Sequence, residues 1–192
     1  LMIRTKSDGL KPLKLNSSQR YAHERIEQQR QETGRVRCLV LKGRQQGIST
    51  YVGGRYYKKV STSNGVLAYI VTHEDAATQN LFGMTRRYHE NNLPDFKPET
   101  GIANANELKF SKLDSGYKIA TAGARTAGRS STIQFLHASE FDFWPDSSAA
   151  VVWKGLAEAV PDEDGTEVII ESTADKPGGR FHRAWKAAKN GE

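Results

Sequence analysis

Residues 38–50 read Cys-Leu-Val-Leu-Lys-Gly-Arg-Gln-Gln-Gly-Ile-Ser-Thr: an apolar run, a polar loop with glycines, then two hydroxyl residues. That succession can bind polyphosphate, because backbone N–H groups of such a loop and the helix N-terminus after it surround an anion. The usual pattern, G-x-x-x-x-G-K-[ST], is departed from twice. Ile48 stands where the lysine belongs, and Lys42 where the first glycine belongs. The cations sit at the front of the loop, as Lys42 and Arg44, so a nucleotide site here requires one of them to reach the β/γ-phosphates. Taken alone, the segment is equally an ordinary strand-to-helix connection in which Gly47 supplies an unusual φ. The ends of the other apolar runs decide between the two.

Cleaving a γ-phosphate also needs a carboxylate to polarise the attacking water, and oxygen ligands for Mg²⁺. After the run Ile133–Ala138 come Ser139, Glu140, Phe141 and Asp142. Glu140 is placed for the water. Ser139 occupies the position usually held by an aspartate, so it contributes to Mg²⁺ only indirectly, through a metal-bound water, and Asp142 is an alternative supporting carboxylate. After Val168–Ile170 come Glu171, Ser172, Thr173 and Ala174, small hydroxyl residues able to sense a γ-phosphate; a plain turn with helix caps explains them equally well. Between these two regions, 123–131 reads Gly-Ala-Arg-Thr-Ala-Gly-Arg-Ser-Ser. Arg125 and Arg129 lie among small residues, as in a loop that projects a guanidinium into a phosphate site, in cis or into a neighbour's site. A solvated or DNA-contacting loop is the rival explanation.

These residues need strands that end side by side. The spacing predicts a polar helix over Ser17–Glu32, a strand over Val36–Leu41 and a helix over Thr50–Val60. A second buried strand follows over Gly65–Val71, then a helix over Asp75–His89. Residues 91–100 carry Pro94 and Pro98 and read as a loop. A hairpin is expected from Glu107–Phe110 and Tyr117–Thr121 about Asp114-Ser-Gly116. Two more strands, Thr132–Ala138 and Glu167–Ile170, flank a helix near Ala149–Val160. Alternation of this kind predicts an α/β fold, a largely parallel central sheet with helices on both faces. Ligands in such sheets bind beyond the carboxyl ends of the strands. The polar residues 1–16 read as an N-terminal arm over the core.

The chain has 192 residues, with 28 Lys and Arg against 22 Asp and Glu. That length supports one sizeable α/β domain, and the net charge of +6 suits a polyanionic partner. Cys38 is the single cysteine, which excludes disulfides within the chain and cysteine-based zinc sites. No run of about 18 apolar residues is present, and nothing reads as a secretory signal, so a reducing cytoplasm is expected.

In order, K-G-R-Q-Q-G-I-S-T, G-R-S-S-T, F-L-H-A-S-E-F-D-F-W and I-I-E-S-T-A resemble the ATPase domain of the tailed-phage terminase large subunit, the DNA-packaging motor. The resemblance runs from Ser17 to Trp185, and some family members carry the loop lysine at the front. It implies a three-layer P-loop NTPase sandwich that uses ATP and Mg²⁺. Lys42 and Arg44 would lie on the phosphates, Gly43 and Gln45, Gln46 and Gly47 would form the backbone cradle continuing through Ile48 and Thr50, and Ser49 would hold Mg²⁺. Glu140 would be the catalytic carboxylate, and Arg129 the finger acting on a neighbour, with Arg125 the fallback. Ser172, Thr173 and Ala174 would couple hydrolysis to DNA movement, and Gln19 would read the adenine edge. The implied partners are double-stranded DNA, a portal protein and a small terminase subunit, in a homo-oligomeric ring on a procapsid in the host cytoplasm. Residues 1–192 would form the ATPase domain, without the nuclease domain that family members carry after it.

Three other readings compete. A two-metal nuclease could gather Glu140, Asp142 and Asp146 with Asp75 or Glu171, leaving the glycine loop without a task. A helicase should show D-E-x-[HD] where Ser139-Glu140-Phe141-Asp142 stands. A non-catalytic DNA-binding module would use basic pairs such as Lys58-Lys59 and Arg86-Arg87 on phosphates. Trp144, Trp153 and Trp185 read as packing residues. His73, at a strand tip, reads as a hydrogen-bonded loop residue.

Overall fold

The apolar runs become neighbouring strands whose tips carry the polar segments. In the computed structural model, which describes residues 1–5, 9–124, 131–175 and 177–191, a small antiparallel pair opens the chain, β1 (Met2–Thr5) and β2 (Gly9–Pro12). Then follow α1 (Ser17–Thr33), β3 (Val36–Leu41), α2 (Ile48–Thr62), β4 (Leu67–Thr72) and α3 (Asp75–Glu90). An antiparallel section, β5 (Thr100–Ala103), β6 (Glu107–Phe110) and β7 (Ser115–Thr121), leads to β8 (Phe135–Ser139), α4 (Asp146–Ala159), β9 (Glu167–Ser172) and α5 (Arg180–Asn190).

Among the described residues the main sheet has seven strands in the order β3-β9-β8-β4-β7-β6-β5. Pairing is parallel from β3 through β7 and antiparallel across β7-β6-β5. The fold is therefore the expected α/β sandwich. Successive strand side chains point to opposite faces, and the core divides accordingly. Ala68, Ile70, Phe135 and Ile169 pack with α1, α2 and α3 on one face. Tyr69, Val71, Leu136, Ala138, Val168 and Ile170 pack with α4 and with Phe181 of α5 on the other.

Local chemistry sets the element ends. Asn16 accepts from the Gln19 N–H while the Gln19 side chain accepts from the Asn16 N–H, a reciprocal capping box that starts α1. Gly34, at φ 74°, ends that helix in the left-handed conformation. β3 lies at the edge of the sheet, where a bare row of N–H and C=O groups invites pairing with another chain. Gln29 occupies part of that edge as a strand would: its amide donates to the Arg37 carbonyl at 3.1 Å and accepts from the Arg37 N–H at 2.9 Å.

Three elements differ from the sequence reading. Residues 1–16, expected as an arm, contain the β1–β2 pair, with Ile3 packed against the core. The loop expected over 91–100 gives way at Thr100 to β5, whose exposed TGIA segment has little apolar alternation to reveal it. The segment after Gly179 forms α5, which buries Phe181 and stacks it on Trp185 at 6.1 Å; a single aromatic pair on a basic helix leaves a faint periodic signal.

Candidate active site

β9 lies between β3 and β8, and this places three of the polar segments side by side. Leu41 is level with Ser172, and Ser139 with Glu171, so the loop after β3 faces the carboxyl ends of both other strands. The Lys42 N–H donates to the Ser172 carbonyl at 3.1 Å, extending the ladder one residue into the loop. Gln45 and Gly47 then take positive φ values of 63° and 74°, which turn the chain over and start α2 at Ile48.

This turn explains the displaced lysine. Ile48 is buried with the α2 core, so a lysine there would place its charge among apolar side chains. Lys42 enters from the other side of the loop. Its Nζ lies 2.8 Å from Glu140 Oε1 and 2.7 Å from Glu171 Oε2. Ser49 points to the same place and donates to Glu171 Oε1 at 2.7 Å. Thr50 does not: its hydroxyl faces Met84 Sδ at 3.6 Å, and its carbonyl accepts from Tyr88. Arg44, Gln45 and Gln46 are exposed along the loop.

Glu140 is held in the left-handed region, φ 50° and ψ 49°. A non-glycine residue adopts that conformation at a cost of about 1–3 kcal/mol when the surroundings enforce it, and such strain concentrates at functional sites. Lys42 engages one carboxylate oxygen of Glu140. Both the N–H and the hydroxyl of Thr173 donate to the other at 3.2 Å. Ser172 accepts from the Asp142 N–H at 3.2 Å, and Asp142 in turn accepts from the Phe181 N–H at the start of α5. Glu140, the Ser172–Thr173 tip and α5 are thus linked by consecutive hydrogen bonds.

Glu171 is fully buried. One of its oxygens accepts from Ser49 and also from Ser139, each at 2.7 Å. His137 Nε2 lies 3.3 Å from that oxygen, a close approach without hydrogen-bond alignment. Burial alone would raise the Glu171 carboxyl; the neighbouring His137 and then Lys42 hold it below the usual carboxylate range. Burial likewise works against the Lys42 ammonium, and Glu171 followed by Glu140 raises it above the usual lysine value.

Gln19 reaches the loop from α1. Its amide donates to the Gly47 carbonyl at 2.7 Å, while its oxygen accepts from Asn16; Asn16 donates to the Gln46 carbonyl at 3.1 Å. A Cβ at Gly47 would sit 2.7 Å from that Gln19 nitrogen, in a backbone conformation already unfavourable to a side chain. Beside the loop opens a groove of ≈ 630 Å³, bounded by Ser18, Tyr21, Arg25, Gln46, Trp185 and the outer side of β3. Its size falls in the range of small-molecule sites.

The structure thus brings together Lys42, Ser49, Ser139, Glu140 and Thr173, with Gln19 one bond behind the loop. Arg125 and Arg129 lie outside the described residues. Ala174 lines a smaller cavity with Asp142 and Phe181. His73 sits 3.4 Å from Glu74 and packs near Phe143. Sequence reasoning did not give Glu171 its central position, nor find His137 beneath it; the available signal was a charge directly following an apolar run. Of the carboxylates of the nuclease reading only Glu140 and Glu171 meet, and a lysine lies between them; Asp142 caps α5, and Asp146 pairs with Arg180 at 2.9 Å. Among the described residues no group of three or more His, Cys, Asp or Glu could hold a metal ion.

The overall architecture matches solved structures. The large terminase of bacteriophage HK97 superposes with a TM-score of 0.73 at 13% identity, over 95% of this chain and 38% of that one. The chain has the fold of a phage large terminase ATPase domain. The large terminase of a thermophilic bacteriophage gives a TM-score of 0.67 at 10% identity, over 93% of this chain and 44% of that one. The ATPase domain of a Thermus phage large terminase gives 0.61 at 19% identity, over 90% and 68%. This chain therefore spans less than half the length of the first two. No protein-family model matches the sequence, and no curated protein matches it. Among the described residues no helix is long and apolar enough to cross a membrane.

Proposed function

We propose that this chain is the ATP-hydrolysing motor domain of a phage large terminase, driving double-stranded DNA into a procapsid. The observation that carries the reading is the meeting of Lys42, Ser49 and Glu140 at the mouth of a phosphate loop on the terminase ATPase fold. In this reading Lys42, which lies between Glu140 and Glu171, turns to the β/γ-phosphates of ATP. The turn releases Glu140 to orient the attacking water, in a backbone conformation that keeps its carboxylate over the loop. Backbone N–H groups from Gly43 to Thr50, with Arg44, surround the phosphates, and the groove beside Tyr21 receives the nucleoside.

Ser49 would hold the Mg²⁺ that accompanies the nucleotide, with Ser139 nearby, and the ion would supply neutralisation of phosphate charge. Thr173 follows the Glu140 carboxylate through two hydrogen bonds, and Ser172 and Asp142 pass any shift to α5, the basis for coupling hydrolysis to DNA movement through Ser172, Thr173 and Ala174. Arg129 of a neighbouring subunit, or alternatively Arg125, completes the site in a homo-oligomeric ring on the portal protein. A small terminase subunit is a further partner, and assembly takes place in the host cytoplasm.

The test compares nucleotide binding and ATP turnover in wild type, Lys42→Ala and Glu140→Gln, all with Mg²⁺. Expected are binding by wild type, loss of binding in Lys42→Ala, and binding without turnover in Glu140→Gln. A well-folded wild type that binds no nucleotide would remove the proposal.

A further inference from the structure

Ser139 leaves β8 without the carboxylate that P-loop ATPases commonly place beside their Mg²⁺-holding hydroxyl. The negative charge stands instead one strand over. Glu171 is level with Ser139 on the adjacent strand, is fully buried, and accepts from both Ser49 and Ser139 through one oxygen. A serine hydroxyl that donates its hydrogen bond to a carboxylate has its lone pairs turned elsewhere, which is the orientation a cation ligand needs. Lys42 lies 2.7 Å from the other Glu171 oxygen, and His137 packs beneath it, so the carboxylate is held in one orientation.

We infer that Glu171 supplies from β9 the carboxylate missing from β8, and is the positioning residue that presents Ser49 to the Mg²⁺ accompanying the nucleotide. This rests on the ATP-binding reading. Glu140 is then left to the water alone, and Ser139 tethers the Glu171 carboxylate where an aspartate would otherwise stand. The two carboxylates divide the work by position: Glu171 sits behind the hydroxyls with no exposed surface, whereas Glu140 is partly exposed at the mouth.

The experiment uses Mn²⁺ as the probe, titrated into protein saturated with ADP and followed by electron paramagnetic resonance. ADP affinity in EDTA is measured in parallel, and thermal unfolding reports the fold. Glu171→Gln is expected to weaken Mn²⁺ binding by about tenfold or more, the usual effect of losing a residue that orients a metal ligand, without weakening ADP binding in EDTA. Adding Ser139→Asp to that variant, which returns a carboxylate to β8, is expected to restore Mn²⁺ binding; a merely structural role for Glu171 gives no such rescue. Unchanged Mn²⁺ affinity in Glu171→Gln overturns the inference. Should that single variant not fold, the double variant decides: folded without Mn²⁺ binding, it overturns the inference; folded with Mn²⁺ binding, it upholds it. A wild type that binds no ADP at all refutes the ATP-binding reading itself, a distinct result that takes the inference with it.

Discussion

Lys42 does two jobs that a substitution removes together. It is the phosphate ligand of the proposed function, and it separates two carboxylates, Glu140 at 2.8 Å and the fully buried Glu171 at 2.7 Å. Breaking a buried pair by deleting one partner strands the other charge, at about 3–5 kcal/mol. Lys42→Ala should therefore unfold at lower urea as well as lose nucleotide. The double variant Lys42→Ala/Glu171→Gln should regain most of the stability while remaining unable to bind nucleotide, because the stranded charge is gone but the phosphate ligand is still missing. Urea unfolding together with nucleotide titration separates the two effects. If Lys42→Ala is as stable as wild type, the two carboxylates cost the fold nothing without their shared lysine. The stored conformation of Glu140 belongs to the same balance: its left-handed backbone is held by Lys42 on one oxygen and Thr173 on the other. A ligand that withdraws Lys42 leaves Thr173 as the remaining hold.

Between elements, α1 and the phosphate loop are joined by Gln19. Its amide is engaged at both ends, by the Gly47 carbonyl and the Asn16 N–H, so the geometry assigns it to loop support, whereas the family resemblance implies adenine recognition. Gln19→Ala removes half of the capping box and should lower stability by about 1 kcal/mol. If loop support is its role, affinity for ATP and GTP falls by the same factor; a fall for ATP alone would return the residue to base recognition. Much of this arrangement was legible in the sequence, because Val36–Leu41, Thr132–Ala138 and Glu167–Ile170 are apolar runs whose composition leaves little choice but strand. The cluster at their tips followed from those endpoints. What the sequence concealed was neighbourhood. That β9 separates β3 from β8 depends on crossover order, which periodicity does not encode, and Glu171 becomes central only through that order. The pair β1–β2 and strand β5 were hidden for another reason: short, exposed segments lack the alternation by which a strand announces itself.

Across the whole molecule, β9 carries a buried glutamate near each end. Glu171 serves the candidate site, and Glu167, four residues earlier and so about 13 Å away along the strand, is surrounded by cations. Arg55 grips it with two hydrogen bonds of 2.8 Å, and Lys59 lies 3.0 Å away. Arg55 also pairs with Glu27 of α1, which Arg30 holds at 2.8 Å, so α1, α2 and β9 are tied by one charge network at the end of the sheet remote from the loop. Burial pushes the Glu27 carboxyl up, but hydrogen bonds from Arg55 and then Arg30, with their charges, bring it down to about 2. Its folded value lies below the ordinary 4.5, so the stabilisation is complete above that pH and is lost as the pH falls toward 2. Arg55→Met leaves Glu167 buried without its main partner, and should reduce stability by about 3–5 kcal/mol. The acid limb of its stability profile should also flatten between pH 4.5 and 2, since Glu27 loses the partner that holds it ionised. The nucleotide affinity of the folded protein should stay the same, because the network shares no side chain with the loop. Urea unfolding as a function of pH, with a nucleotide titration at neutral pH, measures all three. A loss of affinity in folded Arg55→Met would mean that the two ends of β9 act as one unit, with the cation network transmitting strain along the strand to Glu171.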